Sequence, residues 1–142
     1  MDNKARIVDY LKKREIKTCT LATASSEGKP EAAVVGYAIL DDLTIILSTT
    51  KESRKWQNLL QNPQIALTIG GTFTDLYLQL EGTAILVTEG ETYKQCEELF
   101  FSFNPQAAKF KGPSTIFMRV NPTWVRFLDY SSHPPKAEEK TF

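Results

Sequence analysis

The sequence predicts a mainly β domain: an antiparallel barrel, closed or nearly closed, of six or more strands, with an N-terminal helix and two further helices. Three observations point there. Short apolar or alternating runs recur along the chain, joined mostly by Gly, Pro, Asn and Asp turns too short to hold a crossover helix. Two later segments break that rhythm with apolar residues at helical spacing. So many apolar strands would carry an aggregation-prone edge, which closing the sheet removes. With 142 residues the chain suits one domain with a real core.

The elements follow in order. Ala5, Ile7, Val8 and Leu11 recur among charges, so Asp2 to about Arg14 reads as an amphipathic helix that lids one end of the core. Thr18–Thr23 is a strand, and residues 24–30 form a hairpin connection in which Gly28 is free to take a positive φ. Ala32–Leu40 is the second strand. Its small residues Ala32, Ala33 and Gly36 suit either tight sheet packing or the close approach of a flat ligand. Asp41-Asp42 turns the chain into a third strand, Leu43–Leu47, after which Ser48, Thr49 and Thr50 break the apolar run.

Lys51–Asn62 is a helix. Thr49 with Glu52, or Thr50 with Ser53, offers the start signal, Trp56, Leu59 and Leu60 share a face, and Asn62-Pro63 is the stop. Ile65–Ile69 is the fourth strand, ended by Gly70-Gly71, and Thr72–Asp75 is a loop. Tyr77–Val87 is a long strand with Tyr77, Gln79 and Glu81 on one side and a bulge or bend at Gly82. Glu89–Phe103 returns to helical spacing through Tyr93, Cys96, Phe100 and Phe103. Ile116–Val120 and Trp124–Leu128 close the fold as two strands around an Asn121-Pro122 turn. The chain thus divides into a domain over residues 1–130 and a polar tail over 131–142, either loose or laid over a partner.

Composition narrows the function. The 17 basic and 17 acidic side chains balance, which argues against a partner held by nucleic-acid phosphates. Cys19 and Cys96 sit in apolar surroundings and His133 is the lone histidine, so no metal site is expected and buried free thiols are. The charged start is no signal peptide and no run reaches membrane-span length, so a cytoplasmic protein is expected. The chemistry concentrates at the start of the 51–62 helix. There Ser53, Arg54 and Lys55 set a hydroxyl and two cations beside unpaired backbone N–H groups, an arrangement suited to phosphate.

Several stretches resemble one family. Thr20-Leu21-Ala22-Thr23 with Gly28-Lys29-Pro30, Leu47-Ser48-Thr49, Ser53-Arg54-Lys55, Asn58-Leu59, Asn62-Pro63, Ala66-Leu67, Leu78 to Gly82 and Val120 to Asp129 are similar, in order and spacing, to the FMN-binding split-barrel family related to pyridoxamine 5'-phosphate oxidase. The resemblance implies a split β-barrel, a homodimer and FMN in a cleft between the subunits. It places Ser53, Arg54 and Lys55 on the phosphate and Ser48 and Thr49 at the flavin ring or its chain. Val34, Val35 and Gly36 would line the isoalloxazine, Tyr77 would reach it from the long strand, and Trp124 would approach the cofactor or fill the subunit contact. A flavin so held would exchange electrons with a small organic substrate and a nicotinamide donor.

The departures count too. The oxidase carries an arginine and a lysine on the strand matching Ala32–Tyr37, where this chain is small or neutral. Its C-terminal tryptophan, arginine and histidine segment is not matched either. Oxidation of pyridoxamine phosphate is therefore not expected. The other readings are a non-catalytic flavin-binding or stress-related protein, and a split barrel that uses a deazaflavin or haem.

Overall fold

The computed structural model describes residues 3–71, 73–74 and 76–142. Helix α1 (Asn3–Lys13) is followed by β1 (Thr18–Ala24), β2 (Pro30–Ile39) and β3 (Ile45–Thr50), then α2 (Arg54–Gln61), β4 (Gln64–Gly70) and β5 (Leu76–Val87). Helix α3 (Gly90–Phe103), a 3-10 helix (Pro105–Phe110), β6 (Thr115–Asp129) and β7 (Lys136–Thr141) complete the chain. All pairings are antiparallel, in the order β3-β2-β1-β4-β5-β6-β7, and β3 also pairs with β6. The result is a six-stranded antiparallel barrel with one added strand.

The split arises in β6. Its first half, Thr115 to Val120, closes the barrel against β3. Its second half, Trp124 to Asp129, turns away and takes β7 on that edge. The hinge is a bulge against Glu81/Gly82 in β5. A Cβ on Gly82 would meet the Asn121 carbonyl oxygen at 2.6 Å, so only glycine lets the two strands approach there.

Alternation along the strands fills the interior. Cys19, Leu21, Val35, Tyr37, Leu47, Leu67, Leu78, Leu80, Met118 and Val125 belong to one buried cluster, and Ile7, Val8 and Leu11 of α1 close its end. The Tyr37 hydroxyl donates to the Leu11 carbonyl at 2.8 Å, tying the lid to the barrel. A second cluster lies outside the barrel wall, where Cys96 and Phe100 of α3 pack on Ala38, Ile46 and Phe117. Gly36 makes room for α3, since a Cβ there would sit 3.0 Å from Phe100 Cζ.

Several sequence expectations change. Asp2, Thr72 and Asp75 lie outside the described residues. Strand β3 starts at Ile45 and runs on to Thr50, because Ser48, Thr49 and Thr50 find ladder partners in Phe117, Ile116 and Thr115. Helix α2 consequently starts at Arg54 with Ser53 as its cap, not at Lys51. Leu60 is 53 % exposed and does not share the buried face of Leu59. The expected turn at Asn121-Pro122 is the bulge inside a single strand. The 3-10 helix went unread. Residues 136–141 of the tail are a strand paired with β6, with Arg6 of α1 bridging to Glu138 at 3.4 Å.

Candidate functional site

The end of β3 and the start of α2 form one hydrogen-bonded corner. Thr49 Oγ1 donates to Ser53 Oγ at 2.9 Å, and Ser53 Oγ donates to the Thr50 carbonyl at 2.8 Å. Ser53 Oγ also accepts from the Trp56 amide at 3.2 Å, the bond of a helix N-cap. With Trp56 N–H satisfied, the amides of Arg54 and Lys55 in the first turn have no intrahelical acceptor. Behind the corner, Asn58 Nδ2 reaches Thr23 Oγ1 at 3.0 Å and Glu31 at 3.3 Å, fixing the helix on the barrel rim.

Arg54 and Lys55 make no ion pair among the described residues. The neighbouring acid is engaged elsewhere: the Ser114 hydroxyl, first among several contacts, holds the Glu52 carboxyl below the usual carboxylate range. Lys51 lies over the Trp56 ring at 5.9 Å. Two cations without an ion pair among the described residues and two amides thus lie within the first turn of one helix, an arrangement suited to a dianion. Ser53 serves the helix; its hydroxyl is already committed.

The second element is a bare sheet face. Strand register places Val34 opposite Thr20 and Ala32 opposite Ala22. Thr20 is opposite Thr68, Gln79 opposite Thr68, and Arg126 opposite Gln79. Tyr77 faces Leu128 and Trp124 faces Glu81 on the same side. Thr20, Ala32, Val34 and Ala66 are exposed, Val34 at 71 %, on a flat patch of small side chains. Val35 alternates into the core, so only its backbone is open to a ligand.

Tyr77, Gln79 and Arg126 line a hollow of about 480 Å³ with Phe73, Leu128 and Tyr130. Gln79 Nε2 donates to the Tyr77 hydroxyl at 3.1 Å. Arg126 is paired only loosely, 3.5 Å from Glu139. Gln79 was visible in the sequence as the residue two along from Tyr77. Arg126 carries the same signal, two along from Trp124.

The ten site residues do not gather in one place. Ser48, Thr49, Ser53, Arg54 and Lys55 gather at the α2 corner. Tyr77 sits at the other end of the sheet: it pairs with Gly70, whereas the α2 end lies level with Ile65 and Thr23. Five residues at ~3.3 Å each separate the two levels by about 16 Å. Val34 and Trp124 stand on the bare face between them. Gly36 lies under Phe100 and Asn104 of the α3 side. Among the described residues no cluster of three metal-ligating side chains is present, and no helix is long and apolar enough to cross a membrane.

Residues 5–129 match the family model described as pyridoxamine 5'-phosphate oxidase. A pyridoxine/pyridoxamine 5'-phosphate oxidase of Pseudomonas fluorescens is 28 % identical over 128 residues, covering 86 % of this chain and 60 % of that protein. The chain thus spans about three fifths of that relative's length. Among solved structures, a heme binding protein from Mycobacterium smegmatis superposes with a TM-score of 0.77 at 19 % identity, over 97 % of this chain and 56 % of the other. A pyridoxamine 5'-phosphate oxidase-related, FMN binding protein from Nostoc punctiforme superposes with a TM-score of 0.68 at 12 % identity, over 96 % and 93 %. At these identities the structural likenesses speak for the fold.

Proposed function

Because the chain belongs to the pyridoxamine 5'-phosphate oxidase-like split-barrel family, we propose that it is an FMN-binding oxidoreductase-like homodimer. The observation that carries this reading is the α2 corner, with Arg54 and Lys55 unpaired beside two free amides. A phosphate monoester is the biological dianion that such a corner fits. In this reading Arg54, Lys55 and their amides bind the phosphate, while Ser48 and Thr49 lie along the ribityl chain or the ring edge.

The bare face supports the dimer. Val34, Thr20, Thr68 and Ala66 give a flat surface on which the ring of a flavin and a second sheet can both lie. The 16 Å between the α2 corner and Tyr77 argues for two copies, since a two-fold axis through the face brings one end of each sheet over the other end of its mate. Tyr77, Gln79, Arg126 and Trp124 of the second copy then close the cleft, with hydrogen-bonding groups near the ring edge. Val35 and Gly36 contribute backbone only.

Bound FMN supplies the electron transfer, between a nicotinamide donor and a small organic substrate; the chain supplies position, charge and exclusion of water. Oxidation of pyridoxamine phosphate itself is disfavoured, because the strand Ala32–Tyr37 lacks the arginine and lysine that the oxidase carries there. The test is the visible spectrum of the protein titrated with FMN, beside an Arg54→Ala/Lys55→Ala variant. One flavin per subunit, with a perturbed spectrum that the variant loses, supports the reading. Absence of FMN binding to the native chain refutes it.

A further inference from the structure

A groove of about 170 Å³ opens beside the α2 corner, between the end of β3 and the 3-10 helix, and nothing above assigns it a role. Ser48 and Thr50 form one wall, Phe101, Ala107 and Phe110 the other, with Lys111 at the rim. We propose that this groove is the substrate pocket, and that its substrate presents a single uncharged aromatic ring. The proposal rests on the flavin reading only for the word substrate; the groove and its preference stand without it.

Size comes first. An apolar cavity of about 150 Å³ holds one benzene molecule, so this groove takes one ring and little more. The walls are suited to a ring. Phe101 is braced edge-on against Phe100 and Phe117, with centroids 5.3 and 6.2 Å away, so its position is set by the α3 cluster. Phe110 is 76 % exposed, is absent from the buried clusters and, among the described residues, has Lys109 over its ring face at 5.2 Å. A large ring left in water at the mouth of a groove lined by another ring is the arrangement that stacks a third.

Charge settles the class. Lys111 is the cation lining the groove, and it is bound to Glu97, which raises its pKa first through that hydrogen bond. An anionic ligand would have to displace Glu97 to reach Lys111, which leaves Lys109, over the Phe110 ring outside the lining, as a cation beside the groove. The α2 corner next door is the opposite case, with two cations that make no ion pair among the described residues. The Ser48 hydroxyl is also occupied: its Oγ donates to the Ile116 carbonyl at 3.2 Å, leaving its lone pairs to accept one hydrogen bond from a ligand. The groove thus favours an uncharged ring bearing a hydroxyl over a carboxylate or a phosphate ester. Because Ser48 and Thr49 belong to both places, a ring seated here would sit beside the cofactor site.

The experiment is ligand-observed NMR with p-cresol, benzoate and phenyl phosphate, on protein with FMN at saturation and on protein without it. Binding of p-cresol at least tenfold tighter than of either anion is expected in the FMN-saturated protein, with a loss of at least tenfold in Phe110→Ala. Phe110→Trp should restore binding, and both variants should keep the FMN affinity of the parent because Phe110 is solvent-exposed. If FMN fails to bind while p-cresol binds in a Phe110-dependent way, the flavin reading falls and the pocket stands. If p-cresol does not bind, or binds no better than the anions, or ignores Phe110, the proposal is overturned.

Discussion

Removing Arg54 and Lys55 should cost FMN far more than riboflavin, which carries the same ring and chain without the phosphate. Each side chain can offer a charge-assisted hydrogen bond to a dianion, worth about 1.5–3 kcal/mol. Arg54 is exposed and Lys55 half-buried, so the lower end of that range applies to each. Two such contacts sum to about 3 kcal/mol, or roughly a hundredfold in Kd. The amides of Arg54 and Lys55 survive in the Ala/Ala variant, and the helix start retains about 0.3–1 kcal/mol for an anion. A weak preference for FMN over riboflavin should therefore persist. The assay is a four-cornered cycle: parent and variant, FMN and riboflavin, by flavin fluorescence at low ionic strength. Riboflavin should bind both proteins alike, and the FMN difference should shrink as salt screens the corner. Equal losses for both flavins would refute the reasoning, because the two residues would then shape the site without touching a phosphate.

Three other outcomes follow from the fold. Thr20→Lys puts a charge at the middle of the bare face and tests the proposed dimer: light scattering should give a dimer mass for the parent and the 16.0 kDa chain for the variant, and an unchanged dimer mass would place the interface elsewhere. Gly82→Ala drives a Cβ to 2.6 Å from the Asn121 carbonyl and should lower stability by about 1–3 kcal/mol in urea unfolding; an unshifted midpoint would mean the bulge is not tight. Burial pushes the Cys19 thiol from 9.0 up to about 12, so the unfolded chain gives up this proton first. Its stabilising contribution is whole below pH 9.0 and declines between there and about 12, at about 1.4 kcal/mol per pH unit. Tyr37, raised by burial in the same direction, adds to the decline above its ordinary value. Denaturation midpoints between pH 8 and 10.5 should fall more steeply for the parent than for Cys19→Ala, and matching slopes would contradict that account.

Much of this protein was legible before any coordinates. Alternation marks β1, β4 and β5 because each strand has one face in the barrel and one outside it, and a period of two records that geometry directly. Helices α1 and α3 show their stripes for the same reason, each burying one side on the barrel. Gly82 signalled its bulge, since a glycine inside an otherwise good strand costs stability without a backbone reason to be there. The cluster Ser53-Arg54-Lys55 drew notice because capping and cation placement act within one turn of chain.

What the sequence left open depended on neighbours far along the chain. Ser48 to Thr50 read as a break because their own side chains are polar; they are strand because Thr115 to Phe117, some 68 residues on for Ser48 and Ile116, supply the ladder. Residues 136–141 are charged and alternate too weakly to predict order, yet the second half of β6 leaves an edge they complete. Leu60 matched the helical stripe and still faces water, since the width of the buried face is set by the barrel rim beneath α2. The site shows the same division. Local chemistry determined the candidate anion corner, which needs only one strand end and one helix start. Tertiary structure alone decided that Tyr77 stands about 16 Å away at ~3.3 Å per residue along the sheet, that Val34 lies on an uncovered face, and that Phe110 stands at the mouth of a groove. Those facts depend on strand register and on how α3 drapes over the barrel, and both are settled by packing between segments that the sequence keeps far apart.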